Sequence, residues 1–269
     1  MSLSFSSYNE EKPVTIVLLH GGFTCRLEFE HVIPYLSDFH LLLPDQPLHS
    51  ASRHITPGTT ENSARHVAQL IQDHAHGGKA HVVGTSMGGY VGQCLALDHP
   101  ELVLSLYVTG AAPLVPGRRL FMARWTRFTY YSMRLIHWLP DWVFRYQAAG
   151  LNLSDELVAA LRDNVTWELV RDMFPWILTF TLDHVRALKV RTLSIAGAKG
   201  DDVPMIEKTA DALRSRRTDE GEPWPEDGSG AVVIREAMHG WDMQLPELFA
   251  QGVLAWVKGR SLPKEFERV

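Results

Sequence analysis

Residues 81–90, HVVGTSMGGY, contain the stretch that decides the fold. Its first part, His81–Gly84, has the composition of a buried strand, and residues 90–99 can form a helix. Between them residues 84–88 form a G-x-S-x-G pattern, which gains chemical meaning only in a strand–turn–helix context such as this one. The glycines leave room for a strained turn that lifts the Ser86 hydroxyl above the edge of a sheet. We therefore predict a nucleophilic serine facing the amides of a helix N-terminus.

Outward from this stretch, short runs rich in valine, isoleucine and leucine alternate with segments of helical spacing. Residues 61–76 and 205–217 place apolar side chains on one helical face. The runs do not alternate clearly, as is typical of strands covered on both faces, so we predict a parallel sheet wrapped by helices. The predicted strands are Val14–His20, Phe39–Leu43, His81–Gly84, Leu102–Thr109, Val190–Ala196 and Ala231–Arg235.

One segment breaks this alternation. Between Ala112 and Leu188 the sequence shows helical patterns and no good strand, and residues 121–180 hold 13 of the 26 aromatic residues. We predict that residues 113–188 form a helical cap inserted into a core domain made of residues 1–112 and 189–269. A second small core and the cover of a pocket both explain this aromatic content.

Composition excludes several classes of protein. The chain has 269 residues, 45% of them apolar and 21% charged, as in ordinary globular proteins. A net charge of −5 argues against nucleic acid as a partner. The sequence shows neither a membrane-spanning apolar run nor a secretory signal pattern. Cys25 and Cys94 cannot make a disulfide scaffold, so we expect reduced thiols in a cytoplasmic protein.

A serine nucleophile needs a base, and His239 is the best placed of the 13 histidines. It follows the last predicted strand, at the sheet edge where parallel sheets carry their ligand-binding groups. The base needs an acid to orient it, and Asp201 and Asp202 both follow the strand that ends near Ala196. Asp202 stands next to Pro204 and suits the N-cap of a helix, so we favour Asp201 as the acid and keep Asp202 as the alternative.

Acyl transfer also needs donors for an oxyanion. The turn His20-Gly21-Gly22 ends the first predicted strand at the same sheet edge, and Gly22 permits close backbone approach. We predict that the amides of Gly22 and Met87 form the oxyanion hole.

The order of these features resembles the α/β-hydrolase family. A His-Gly-Gly turn, a G-x-S-x-G turn, an insertion, an aspartate after a strand and a final histidine follow one another, and residues 238–249 (MHGWDMQLPELF) are similar to the family's last stretch. The resemblance extends from about Val14 to Lys258. It implies a mostly parallel eight-stranded sheet flanked by helices, with a helical cap, and it implies neither a metal ion nor an organic cofactor.

Two departures from the family pattern concern the site. The loop Asp45–Ser50 has Pro47 and Leu48 where a glycine turn is common, so we expect a reshaped pocket wall. The acid stands one residue later than usual, since Gly200 occupies its position. We expect Asp242 to cap the final helix rather than to orient His239.

These features predict a serine hydrolase that cleaves an ester, thioester or lactone of a small-to-medium, fairly apolar molecule. The same constellation also suits cleavage of carbon–carbon bonds, eliminations and cyclisations, and a silent binding or adaptor protein is a further alternative.

The cluster His74, His76 and His81 lacks metal-site spacing. Arginines interleaved with aromatics at the start of the cap predict weak contact with a membrane surface. They are Arg118, Arg119, Arg124, Arg127, Arg134 and Arg145. Oligomeric state and substrate identity stay open.

Overall fold

The central sheet of the computed structural model has the strand order β1-β3-β2-β4-β5-β6-β7-β8. The structure describes residues 2–218 and 220–269, with the backbone alone at 136, 137 and 147. Strands β2 to β7 run parallel, and β1 and β8 add antiparallel edges. Within the described residues the strands are β1 (Phe5–Tyr8), β2 (Thr15–Leu19), β3 (His40–Pro44), β4 (Ala80–Thr85), β5 (Val103–Thr109), β6 (Thr192–Gly197), β7 (Gly230–Ile234) and β8 (Glu267–Arg268).

Helices cover both faces of the sheet. Successive side chains of a strand point to opposite faces of the sheet. Val17 and Leu19 of β2 therefore belong to the core that contains apolar residues of 60–98. Ile16 and Leu18 belong to the core on the other face, which contains apolar residues of 246–257. The helices are α1 (Thr60–His74), α2 (Met87–Asp98), α3 (Pro116–Arg124), α4 (Thr126–His137), α5 (Asp141–Gln147), α6 (Asp155–Asp163), α7 (Trp167–Thr179), α8 (Leu182–Ala187), α9 (Val203–Arg214), α10 (Trp241–Gln244) and α11 (Pro246–Val257).

All six strands predicted from apolar runs are present, and every predicted end lies within two residues of the observed one. The runs did not reveal β1 and β8. Strand β1 (FSSY) is only partly buried, and both residues of β8 are exposed. Edge strands with polar faces lack the apolar runs that mark the central strands. The eight-stranded, mostly parallel sheet implied by the resemblance is confirmed.

The helices α3 to α8 all lie between β5 and β6, within residues 113–188, which we call the cap segment. Its two halves differ. Helix α7 packs its buried residues, among them Leu169 and Phe174, into the same core as α1 and α2. No residue of α3 is buried, and the described parts of α4 and α5 expose several large apolar side chains. One half of the cap segment therefore belongs to the core of the sheet, and the other half covers the sheet edge from outside.

Candidate active site

Ser86 occupies a strained turn between β4 and α2. Its backbone φ of 49° and ψ of −114° lie in a region that L-residues rarely adopt. Neighbouring glycines make this turn possible, since a Cβ at Gly84 would lie 2.4 Å from the Gly88 carbonyl oxygen, and one at Gly88 would lie 2.1 Å from the Leu19 carbonyl oxygen. The amide of Ser86 donates to the Thr109 carbonyl at 2.8 Å. The predicted sharp turn is therefore formed, with the serine at the carboxyl edge of the sheet.

His239 bridges Ser86 and Asp201. Its Nδ1 lies 2.5 Å from Asp201 Oδ1, and its Nε2 lies 2.9 Å from Ser86 Oγ. The carboxylate accepts the Nδ1 proton, which leaves Nε2 free to accept the hydroxyl proton of Ser86. Three loops that are far apart in sequence thus bring a hydroxyl, an imidazole and a carboxylate into one hydrogen-bonded chain.

The two candidate acids have separate contacts. Asp201 directs its second oxygen to the Gly197 amide at 2.8 Å, while Asp202 Oδ1 caps α9 by accepting from the Met205 amide at 2.9 Å. The additional residue before the acid is absorbed in a turn, in which the Asp201 amide donates to the Gly197 carbonyl at 2.9 Å. Asp201 therefore reaches His239 despite its unusual position, and Asp202 does not contact the histidine.

The environment of His239 favours its protonated form. Burial lowers the pKa of the imidazole, but the hydrogen bond and the negative charge of Asp201 outweigh burial, so the pKa is raised above its ordinary value. The raised pKa makes His239 a stronger base toward a hydroxyl proton than a free histidine.

Gly110, which the sequence pattern did not single out, makes room for this histidine. It follows β5 with φ of +64°, and a Cβ there would lie 2.6 Å from His239 Cε1. Both the positive φ and the contact with the ring require a glycine. The sequence signal that could have identified Gly110 is a glycine placed directly after an apolar strand, at the carboxyl edge of the sheet.

Gly22 and Met87 lie beside Ser86 on the wall of one cavity. Met87 is the first residue of α2, and the amide of such a residue has no acceptor within its own helix. A Cβ on Gly22 would lie 3.8 Å from Met87 Cβ, so the two backbones approach each other closely. This placement suits the two amides as joint donors to an anion formed at Ser86.

A buried carboxyl group, Glu28, lies beneath the glycine turn. It accepts from the Gly21 amide at 2.9 Å and from the hydroxyls of Thr24 and Thr85. Burial raises its pKa despite these donors. Glu28 thereby joins the turn before Gly22 to the residue before Ser86. The sequence pattern did not identify it, because an isolated glutamate carries no local signal of burial.

The expectation that Asp242 caps the final helix is wrong. Residues 241–244 form the separate helix α10, which turns Asp242 into the protein interior, and α11 begins at Pro246 without a side-chain cap. Burial, and then the charge of Glu28, raise the pKa of Asp242 well above its usual range. Burial of the two neighbouring carboxyl groups thus favours the protonated form behind the site.

The loop Asp45–Ser50 has a different role from the predicted one. None of its residues lines the cavity among the described residues, so the expected change of the pocket wall is wrong. Instead, His49 Nε2 accepts from the Phe23 amide at 3.2 Å, and Asn164 of the cap segment donates to Ser50 Oγ at 3.1 Å. Through these contacts the loop joins the glycine turn to the cap segment.

The cavity above Ser86 has a volume of about 490 Å³. The sheet edge supplies Ser86 and His239, and the cap segment supplies half of the remaining lining residues. Arg118 is the only basic side chain besides His239 among the described residues that line it, and no ion pair joins Arg118 to a described acid. Apolar side chains dominate the wall, among them Phe23, Leu114, Phe121, Met133, Phe174 and Ile206.

Comparison with known proteins identifies the family. Residues 14–163 match the model of the alpha/beta hydrolase fold. An AB hydrolase superfamily protein of Gibberella zeae is 32% identical over 259 residues, which cover 94% of this chain and 83% of that protein. The chain therefore belongs to the α/β-hydrolase family.

Two further proteins illustrate the range of similar sequences and folds. The 2-hydroxy-6-oxo-6-(2'-aminophenyl)hexa-2,4-dienoic acid hydrolase of Metapseudomonas resinovorans is 24% identical, over 91% of this chain and 84% of that protein. The structure of a thermophilic esterase from Thermogutta terrifontis has a TM-score of 0.67 at 24% identity, covering 96% of this chain and 93% of that one. Hydrolases are thus among the proteins that this chain resembles.

Proposed function

We propose that this protein is a serine hydrolase that cleaves an ester, thioester or lactone through an acyl-enzyme on Ser86. The observation that carries the proposal is the hydrogen-bonded chain from Ser86 through His239 to Asp201, with separations of 2.9 and 2.5 Å. A serine within reach of a base, itself oriented by an acid, is the arrangement that nucleophilic acyl transfer requires.

In the first half of the reaction, Ser86 Oγ bonds to the carbonyl carbon while its proton passes to His239 Nε2. The carbonyl oxygen becomes an anion, which the amides of Gly22 and Met87 stabilise. Asp201 stabilises the imidazolium and keeps its orientation. The bond to the leaving alcohol or thiol then breaks, and His239 returns the proton to that group.

In the second half, water attacks the acyl carbon and gives a proton to His239. The bond between the carbon and Ser86 Oγ breaks, the oxygen recovers the proton, and a carboxylic acid leaves. With a lactone the alcohol and the acid remain in one product molecule. No metal ion or organic cofactor takes part in either half of this proposal.

The cavity favours a largely apolar acyl group that carries one anionic substituent. Its wall is mainly apolar, which binds hydrocarbon through burial. Arg118 supplies a positive charge within this wall, and a carboxylate on the substrate is the group that such a guanidinium binds best. Arg124 and Arg127 do not line the cavity and are not part of this contact.

The test is the hydrolysis of a panel of activated esters, thioesters and lactones by the wild type and by Ser86→Ala. We expect Ser86→Ala to lower kcat on the order of a million-fold, since the nucleophile is lost. The matched control is Ser132→Ala, a serine of α4 outside the cavity, which should keep wild-type rates.

A fluorophosphonate probe gives an independent readout. It should add one phosphonyl group to the wild type and to Ser132→Ala, and none to Ser86→Ala. Equal ester hydrolysis by wild type and Ser86→Ala would overturn the proposal. Absence of both labelling and turnover in the folded wild type would favour the silent binding or adaptor protein instead.

A second candidate is the hydrolysis of a carbon–carbon bond. The similarity to the dienoic acid hydrolase over 91% of the chain favours it, as does Arg118, since that relative's named substrate is an acid. Product analysis with a 2-hydroxy-6-oxo-hexa-2,4-dienoate distinguishes the candidates. Turnover of the dienoate with no turnover of any ester, thioester or lactone would replace the first candidate by the second.

A further inference from the structure

The outer face of helices α3 to α5 exposes a concentration of large apolar side chains. Nine of the twelve large hydrophobic residues that are exposed in the described part of the chain lie between residues 120 and 146. The other three, Tyr8, Tyr35 and Leu104, are at most 46% exposed. We call eight of the nine the cap patch: Leu120, Trp125, Phe128, Tyr131, Leu135, Trp138, Trp142 and Tyr146. The ninth, Phe121, lines the cavity.

Positively charged residues are interspersed with the cap patch along the sequence. Arg124, Arg127 and Arg134 are exposed, and none of them forms an ion pair with a described residue. Asp141, the one acidic residue in the sequence of 116–147, is already paired with Arg162, and Asp155 is paired with Arg145. A chain whose net charge is −5 thus carries a surface that is both apolar and cationic.

We propose that the cap patch docks on the surface of a lipid bilayer that contains anionic lipids. Tryptophan and tyrosine are favoured at the boundary between headgroups and acyl chains, because one part of the ring system is apolar and another part forms hydrogen bonds. Arginines near such a surface are attracted by the negative headgroups. No helix among the described residues is long and apolar enough to cross a bilayer, so the contact is peripheral.

Charge favours a bilayer over a second copy of the chain. In a two-fold dimer the same patch meets itself, which would set the unpaired arginines of one copy against those of the other. An anionic bilayer instead offers opposite charge to every arginine and an apolar layer to every ring. The proposal concerns binding alone and does not depend on the proposed chemistry.

The test is co-sedimentation with phosphatidylcholine vesicles, with and without phosphatidylserine, using Ser86→Ala so that turnover cannot alter the lipids. We expect binding to the vesicles that contain phosphatidylserine, weaker binding without it, and loss at high salt. The double variant Arg124→Gln/Arg127→Gln should weaken binding about 25-fold, at about fivefold per charge. Trp138→Ala and Trp142→Ala should each weaken it about tenfold, because apolar burial is lost.

Two control variants lie away from the cap patch. Tyr35→Ala removes an exposed ring, and Arg260→Gln removes an exposed positive charge, so both should bind vesicles like the parent protein. The proposal is overturned if the parent protein does not bind, or if the cap patch variants bind no more weakly than these controls. It is also overturned if light scattering shows a dimer that Trp138→Ala and Trp142→Ala dissociate.

Discussion

The sheet edge at Ser86 and the outer cap segment differ in how tightly their residues are packed. At the edge a single added Cβ on Gly88 would lie 2.1 Å from a backbone oxygen, whereas at Gly117 in α3 a Cβ would meet no atom within 4 Å. The edge also contains buried hydrogen-bonded groups such as Glu28, whereas the cap segment exposes rings such as Trp142. In the proposed function, the edge therefore determines which bond is attacked, and the cap segment determines which molecules and surfaces reach it.

After loss of the nucleophile itself, the largest expected effect follows from Asp201→Asn. The amide cannot hold the His239 tautomer or stabilise its imidazolium, so kcat should fall about 10,000-fold on the best ester of the panel. Activity needs the neutral imidazole and is lost as pH falls through its pKa. Because Asp201 raises that pKa, the acidic limb of the wild-type profile should lie above about 6.5, and the residual activity of Asp201→Asn should persist to lower pH.

Asp202→Asn is the matched control for this variant. Asparagine caps a helix as well as aspartate does, so α9 should remain stable and kcat should stay near the wild-type value. If Asp202→Asn lowered kcat as strongly as Asp201→Asn, the assignment of the acid would be wrong.

The next effect compares packing in the two regions through two identical changes. Gly88→Ala should lower the free energy of unfolding by about 3 kcal/mol or more, because the new methyl group meets the Leu19 backbone, which cannot move aside. Gly117→Ala should leave the free energy of unfolding unchanged or raise it by up to about 1 kcal/mol, since alanine favours a helix. Urea denaturation of both variants measures the difference. Equal free energies of unfolding for Gly88→Ala and Gly117→Ala would contradict the tight contact of the serine turn with β2.

The smallest effect is expected from Arg118→Gln, in the wall that the cap segment contributes. For an ester with a carboxylate on its acyl group, KM should rise about tenfold while kcat changes little, because a charge-assisted contact is lost. KM for a neutral ester of the same size should not change, which provides the internal control. A rise in KM for both esters would indicate a change of cavity shape instead of the loss of carboxylate recognition.

The central strands and the triad could be predicted because each has a local signal. Apolar runs mark β2 to β7, which are five to seven residues long, as seen in the five buried residues of β2. Ser86, His239 and Asp201 all follow such strands, and parallel strands bring their carboxyl ends to one edge. The order of these motifs makes the family recognisable from the sequence.

Burial of single polar residues could not be predicted in this way. Glu28 and Asp242 look like surface residues in the sequence, yet both are buried behind the site, because residues distant in sequence surround them. The role of the loop Asp45–Ser50 was also hidden, since it depends on contacts with Phe23 and Asn164. Neither partner can be inferred from the composition of the loop.

The sequence by itself determined the central strands, the serine turn and the candidate residues of the site, because strand patterning and glycine sterics act over a few neighbouring residues. Only the tertiary structure decided that Asp201, and not Asp202, contacts His239, since one turn directs the two carboxylates differently. It also decided which cap residues face the cavity and which face solvent. Those outcomes depend on distances between segments far apart in the chain, and local patterns carry no information about such distances.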